Sequence, residues 1–185
     1  CIRDSGKAMR RKWRKLHIGC TEDGYIVTQE LTDNDCSDDA TLPELLENIN
    51  SDRVIDMIRV DGAYDRTSCY HAIAMRGAQA NIPPPRNARI DQKITKDSPL
   101  SARNKAIARI EELGGDAKGK HRWRKETGHY NRERAENTIY RFKVTFSPAL
   151  AARSLRNQKA EAAIKSNILN QFFTIARPIS KKITP

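Results

Sequence analysis

Two short apolar runs that flank a helical segment constrain the fold of this chain more than any other feature of its sequence. The run VIDMIRV at 54–60 is rich in β-branched residues and too short for a typical helix, which indicates a buried strand. The segment 66–77 is typical of a helix that ends at a glycine, and the run AQANI at 78–82 is stopped by consecutive prolines. Strand, helix and strand in this order predict a βαβ unit with parallel strands.

A β-hairpin precedes this unit. LHIGC at 16–20 alternates apolar side chains, TEDG at 21–24 supplies a turn, and YIVTQEL at 25–31 returns as the second strand. A helix that contains 42–49 follows the hairpin, because its leucines and isoleucine recur at helical spacing. We therefore predict an α/β fold in which helices flank a mixed sheet with an antiparallel hairpin and parallel strands.

Two more helices are predicted in the last third of the chain. The helix at 131–146 carries an apolar stripe that we expect to face the core, formed by Ala135, Ile139, Phe142 and Phe146. The helix at 157–176 is expected to pack through a second stripe, formed by Ala160, Ile164, Ile168, Phe172 and Ile175.

The charge of the chain indicates a polyanionic partner. Among 185 residues, 34 Lys and Arg face 23 Asp and Glu, which gives a formal net charge of +11. Nucleic acid is the commonest such partner. An anionic membrane surface ranks below it, because every long amphipathic helix that we predict uses its apolar face for the core. The basic run at 7–15 supplies candidate DNA contacts, namely Arg11, Lys12, Arg14 and Lys15.

The length predicts one domain that spans 1–185. Composition becomes polar and strongly basic at 86–128, where we predict one helix at 101–115 and interpret the segment as an insertion or flap, either DNA-facing or simply solvated. No apolar run reaches the roughly 20 residues that a membrane span needs. The four cysteines lack a CxxC spacing, which favours reduced thiols and a cytoplasmic location over zinc or disulfides.

Two acidic residues are candidate ligands for a metal ion. Asp61 follows the predicted strand at 54–60, at an edge where ligands collect in open α/β folds, although an Asx turn that closes the strand is the simpler explanation of this residue taken alone. Asp65 is interpreted as a helix cap. Glu136 borders the apolar stripe of its helix with Arg132 and Lys143 on the same face, so it is either a solvated ion pair or a metal ligand.

The segments WRKLHIGCTEDGYIVTQELTDNDCSD, VDGAYD and HYNRERAENTIYRFK, followed by ARP, occur in one order along the chain. Together they resemble the bacterial insertion-sequence transposases with a DDE catalytic core of RNase H-like fold. The resemblance runs from about Arg10 to Pro178.

This resemblance implies that Asp61 and Glu136 are the second and third catalytic acids and bind Mg²⁺, or Mn²⁺ as a substitute, in a two-metal site. It implies that Arg132 and Lys143 belong to the signature Tyr-x2-Arg-x3-Glu-x6-Lys, whose basic residues contact transposon-end DNA. His129 occupies the tyrosine position of that signature, and Tyr130, shifted by one, is a further candidate contact. Homodimers in the family and a location at the bacterial nucleoid are also implied.

The first catalytic acid is the main departure from the family pattern. Asp4 echoes it, but little apolar strand material precedes Asp4 and its spacing to Trp13 is short, so Asp4 is either that acid or part of a basic spacer. We therefore expect a chain that lacks its N-terminal part and is inactive alone. The alternatives are a non-catalytic DNA-binding remnant or regulator, and an RNase H-like nuclease without end specificity.

Overall fold

The computed structural model describes the backbone of residues 2–4 and all atoms of residues 13–176. Its contacts divide the chain into two compact units, which are treated separately below: Cys1–Asn34 with Arg134–Pro185, and Asp35–Glu133. A single domain over 1–185, with a basic insertion at 86–128, stays a prediction.

The described residues form six strands and six α-helices. In chain order they are β1 (Ile2–Asp4), β2 (Trp13–Cys20), β3 (Ile26–Asp33), α1 (Asp38–Glu47), β4 (Met57–Arg59), α2 (Thr67–Met75), β5 (Gln79–Asn81), α3 (Ser101–Glu112), α4 (Asp116–Glu126), α5 (Glu133–Phe146), β6 (Ala149–Leu150) and α6 (Leu155–Ile175). Short 3₁₀ turns at Gly62–Tyr64 and His129–Arg132 precede α2 and α5. The predicted α/β class, with an antiparallel hairpin and parallel strands flanked by helices, is confirmed.

The first unit is built on a four-stranded sheet with the order β3-β2-β1-β6. β2 and β3 form the predicted hairpin, in which Leu16 pairs with Leu31, and β1 lies between β2 and β6 with β6 parallel to it. The core beneath the sheet is apolar and consists of Ile26, Leu31, Phe142, Leu150 and Leu169. Phe142 is fully buried and Ala135, Ile139 and Phe146 are half-buried, so the predicted stripe of α5 does face the core.

Helix α6 packs through a different face from the predicted one. Ile164, Phe172 and Ile175 are exposed, whereas the buried side of the helix carries Gln158, Ala162, Ser166, Leu169 and Asn170. The predicted packing stripe is therefore wrong. The physical reason is hydrogen bonding to the sheet, because the Asn170 amide donates to Ile26 O and accepts from Ile26 N, both at 2.8 Å.

The second unit contains the predicted βαβ arrangement, but its two strands form a separate two-stranded sheet, whereas the sequence predicted that they continue the sheet of the hairpin. β4 and β5 pair in parallel, with Arg59 opposite Asn81, and α2 connects them. The segment 86–128 contains two helices, α3 and α4, where one was predicted. α4 escaped prediction because it buries only Gly119 and Trp123, which is too few residues to produce a helical apolar period.

Helices long and apolar enough to cross a bilayer are absent from the described residues.

We expect Asn170→Ala to destabilise the first unit by about 1–3 kcal/mol, because it leaves the buried N–H and C=O of Ile26 without partners. Asn167→Ala, an exposed amide on the same helix, is the matched control and should change stability by less than about 0.5 kcal/mol. Urea unfolding measures both variants. Equal effects of the two substitutions would show that the Asn170 amide does not support the sheet edge.

Candidate active site

Asp61 lies two residues after the end of β4, at the carboxyl end of the parallel pair. Its carboxylate Oδ1 accepts a hydrogen bond of 2.8 Å from the Ala63 N–H, so that Asp61 caps the 3₁₀ turn Gly62–Tyr64. The Asx turn that the sequence left open is therefore present. It fixes one oxygen of a half-buried carboxylate at the strand end, which is compatible with a second role for that side chain as a ligand.

Tyr64 lies in the same turn and adds no charge to it. Burial, followed by the negative charges of Asp38 and Asp61, raises the pKa of Tyr64 well above its ordinary value. The phenol is therefore protonated and uncharged at neutral pH.

Asp65 anchors the loop that carries Asp61 to the basic segment. Its carboxylate is buried, and both of its oxygens accept a hydrogen bond from Arg103 Nε at 3.0 Å. Oδ1 also accepts a hydrogen bond from the Tyr70 hydroxyl at 2.8 Å. The predicted capping role is wrong, since Arg66 occupies the N-cap position of α2 and no side chain caps that helix. A buried carboxylate needs such partners, and here α3 supplies one of them.

His129 and Asn81 form a buried polar pair next to the end of β5. The Asn81 amide donates to Thr127 O at 3.1 Å, which leaves its Oδ1 to accept from His129 Nδ1 at 3.0 Å. His129 is only 3 % exposed. Burial and the positive charges of Arg124, Arg132 and Arg59 lower the pKa of His129 to about 4, so the imidazole is neutral at physiological pH.

The residue next to His129 has a different environment. Tyr130 is exposed, and its hydroxyl is hydrogen-bonded to Nδ1 of His121 at 2.7 Å. The signature position and the neighbouring tyrosine therefore differ physically: His129 is held in the core, and Tyr130 is accessible to a ligand. Arg132 ends the same 3₁₀ turn, and α5 begins at Glu133. The predicted helix at 131–146 had included Arg132.

Glu136 and Lys143 lie on α5 in the first unit, with Glu136 exposed and Lys143 half-buried. They are seven residues apart, which places them on one face of the helix about two turns from each other. On the buried side of α5, Thr138 hydrogen-bonds to Arg134 O at 2.8 Å. The placement of Asp61 and Glu136 in one site stays a prediction.

The basic run at 7–15 contributes differently from what its composition suggested. Arg14 is buried, forms an ion pair with Asp33, and donates from Nε to Gln158 Oε1 at 3.0 Å. Lys15 is half-buried, while Arg11 and Lys12 lie outside the described residues. For Arg14 the contacts thus indicate a structural role between sheet and helix, and its DNA contact remains only a prediction.

Three features of the second unit were missed by sequence reasoning: the Asp65–Arg103 pair, the Asn81–His129 pair and the position of Arg59 beside the latter. Asn81 is the last residue of β5 and Asp61 comes two residues after β4, and this shared strand-end position was the available signal. Within the described residues, three or more His, Cys, Asp or Glu side chains do not gather as a metal-binding cluster.

We expect acid to destabilise the fold partly through His129. Its pKa is lowered to about 4 in the folded protein, so between that value and the ordinary value near 6.5 only the unfolded chain binds the proton. The stabilising contribution is complete above pH 6.5 and is lost as the pH falls towards 4. Melting temperatures from pH 7.5 to 4.5 should therefore fall less steeply for His129→Gln than for wild type.

His121→Gln, which removes an exposed imidazole from α4, is the control for the loss of any histidine. If His129→Gln and wild type lose stability in parallel as the pH falls, His129 does not carry this dependence.

Comparison with known protein families matches residues 2–169 to the family described as "Transposase DDE domain". No solved structure matches the chain. The match includes the strand end at Asp61, the 3₁₀ turn with His129 and Arg132, and helix α5 with Glu136. Members of this family act on DNA and generally use divalent metal ions. The chain belongs to the DDE transposase family.

Proposed function

We propose that this domain catalyses Mg²⁺-dependent strand cleavage and strand transfer at the ends of a bacterial insertion sequence, with Asp61 and Glu136 as metal-binding carboxylates. The observation that carries the proposal is the position of Asp61 at the carboxyl end of β4, within the residues that match the family. Open α/β sheets bind their ligands at such strand ends.

The donor set fits a hard divalent cation. Asp61 and Glu136 offer carboxylate oxygens, which Mg²⁺ prefers, and one oxygen of Asp61 is already oriented by the Ala63 N–H. The ion, when bound, would activate the attacking hydroxyl and stabilise the leaving oxygen of an in-line displacement.

Asp4 is proposed as the first carboxylate. The sequence has few apolar residues before Asp4, yet the backbone forms the strand β1, which ends at Asp4. β1 pairs in parallel with β6, and Asp4 lies opposite Leu150. β1 is an interior strand of its sheet. Asp4 therefore follows the same rule as Asp61, an acid at the carboxyl end of a strand that has a parallel neighbour. Because Asp4 would complete the set of three acids, we propose an active domain where the sequence alone predicted an inactive one.

The cationic and polar side chains around these acids would hold the DNA. Arg132 and Lys143 would bind backbone phosphates, Arg132 through its planar fork, and exposed Tyr130 would contact the same strand. Holding the scissile phosphate against the acids would supply the orientation on which phosphoryl transfer depends. A homodimer would present two such sites to two transposon ends.

A DNA-binding protein without catalysis is the second candidate, and the net charge of +11 favours it because binding of DNA needs no carboxylates. DNA binding without catalysis is the outcome expected if Asp4 does not serve as the first metal-binding carboxylate. An RNase H-like nuclease would instead cleave duplexes or hybrids regardless of transposon ends.

A plasmid that carries the element's own ends distinguishes these functions. We expect cleavage at the ends with Mg²⁺, and a loss of roughly 1,000-fold in rate for Asp61→Ala or Glu136→Ala, since removal of a metal ligand costs several kcal/mol of transition-state stabilisation. Asp56→Ala and Glu133→Ala are the matched controls, because each removes an exposed acid a few residues before Asp61 or Glu136. Both variants should keep wild-type rates.

Metal-independent binding without any cleavage would favour the second candidate. Cleavage that ignores the ends would favour the nuclease, and cleavage that survives Asp61→Ala would contradict the proposed site.

A further inference from the structure

Three arginines from separate elements of the second unit converge around His129. Arg59 ends β4, Arg124 lies in the last turn of α4, and Arg132 is in the 3₁₀ turn with His129. Both β4 and α4 pack against that turn. A side chain added at Gly128 would meet Nη2 of Arg59 at 3.7 Å, so this guanidinium lies over the backbone next to His129.

The 3₁₀ geometry brings Arg132 to the same place. Side chains three residues apart are eclipsed in a 3₁₀ helix, and Arg132 is three residues after His129 in the turn His129–Arg132. The three guanidinium groups thus approach one imidazole from a strand end, a helix end and a turn.

The environment of Arg124 indicates a missing acceptor. Its Nε is buried and has no hydrogen-bond partner among the side chains and backbone that the structure describes. Buried guanidinium N–H groups normally find an acceptor, since their desolvation is otherwise uncompensated. In the stretch 120–132 the sequence has one acid, Glu126, and its carboxylate is bound to Arg109 at 3.0 Å.

His129 does not compensate the arginines, because it is uncharged. With Nδ1 donating to Asn81, the other ring nitrogen can only accept a hydrogen bond. The positive charges of all three arginines contribute to the lowered pKa of His129, so the three side chains lie close enough to act on one site. An anion bound there would accept a hydrogen bond from the buried Nε of Arg124.

We propose that Arg59, Arg124 and Arg132 bind one backbone phosphate of DNA at the strand end that carries Asp61. This inference rests on the proposed function, and it names Arg59 and Arg124 as binding residues alongside Arg132. The planar fork of arginine matches phosphate oxygens in a way that lysine does not. Because Arg59 ends β4 and Asp61 follows it by two residues, the bound phosphate would lie next to the proposed metal ligand.

Salt-dependent DNA binding tests this site. The affinity of the full chain for a fluorescein-labelled duplex is measured by anisotropy across salt concentrations, without metal. Removal of one of the three arginines that share the phosphate should make the plot of log K against log salt shallower, by at most about one, for Arg124→Gln and for Arg59→Gln. We also expect the affinity at low salt to fall about tenfold.

Arg122→Gln is the matched control, because it removes the same charge from an exposed side chain on the same helix. Its slope should equal that of wild type. If Arg122→Gln and Arg124→Gln weaken binding equally, the phosphate site is wrong while DNA binding by the domain stands. If the wild-type chain does not bind duplex DNA at low salt, the proposed function and the site both fail.

Folding and ligand source are checked in the same series. Should circular dichroism show that Arg124→Gln is unfolded, Arg124→Lys replaces it and should keep the salt slope but bind more weakly, because an ammonium group cannot form the fork. An unchanged affinity for Arg124→Lys would contradict the site. Inorganic phosphate could stabilise wild type while Arg124→Gln leaves the salt dependence of DNA binding unchanged. That result would mean that the arginines bind free phosphate, and it would contradict the proposed contact with DNA.

Discussion

The parallel pairing of β4 with β5 is the constraint on which the second unit depends. Parallel strands end at the same edge of a sheet, and the register that sets Arg59 opposite Asn81 brings two polar strand ends together. Asp61 follows the first strand, and Asn81 holds His129 at the second. Charged and hydrogen-bonding groups that are distant along the chain thereby meet at one edge, which is where an α/β fold offers room for a ligand.

Buried polar contacts determine how the helices attach to both units. In the first unit, α6 turns its amides inward because Asn170 satisfies the backbone of Ile26. In the second, Arg103 ties α3 to the carboxylate of Asp65. These contacts are costly to break, since each would leave a desolvated group without a partner. The basic segment at 86–128 is therefore attached to the loop of the candidate metal ligand through a buried charge pair.

The elements that the sequence predicted correctly are those specified by local patterns. Alternation and turn chemistry identify the hairpin, and β-branched runs around a helical segment identify the parallel strands. Helix α6 was oriented wrongly because hydrophobic periodicity assumes that apolar faces are buried, whereas long-range hydrogen bonds decided the packing. Similarly, the environment of His129 depends on Asn81, 48 residues away, and such a contact has no local signature.

The proposed function requires Asp61 and Glu136 to act as ligands of one metal site. Mn²⁺ binding, followed by the electron paramagnetic resonance of the free ion, tests it through a double-mutant cycle of the wild type, Asp61→Ala, Glu136→Ala and the double variant. Shared coordination predicts that each single substitution weakens Mn²⁺ binding and that the double variant binds little more weakly than either single one. Additive losses in the double variant, or unchanged affinity in either single variant, would show that the two carboxylates do not share an ion.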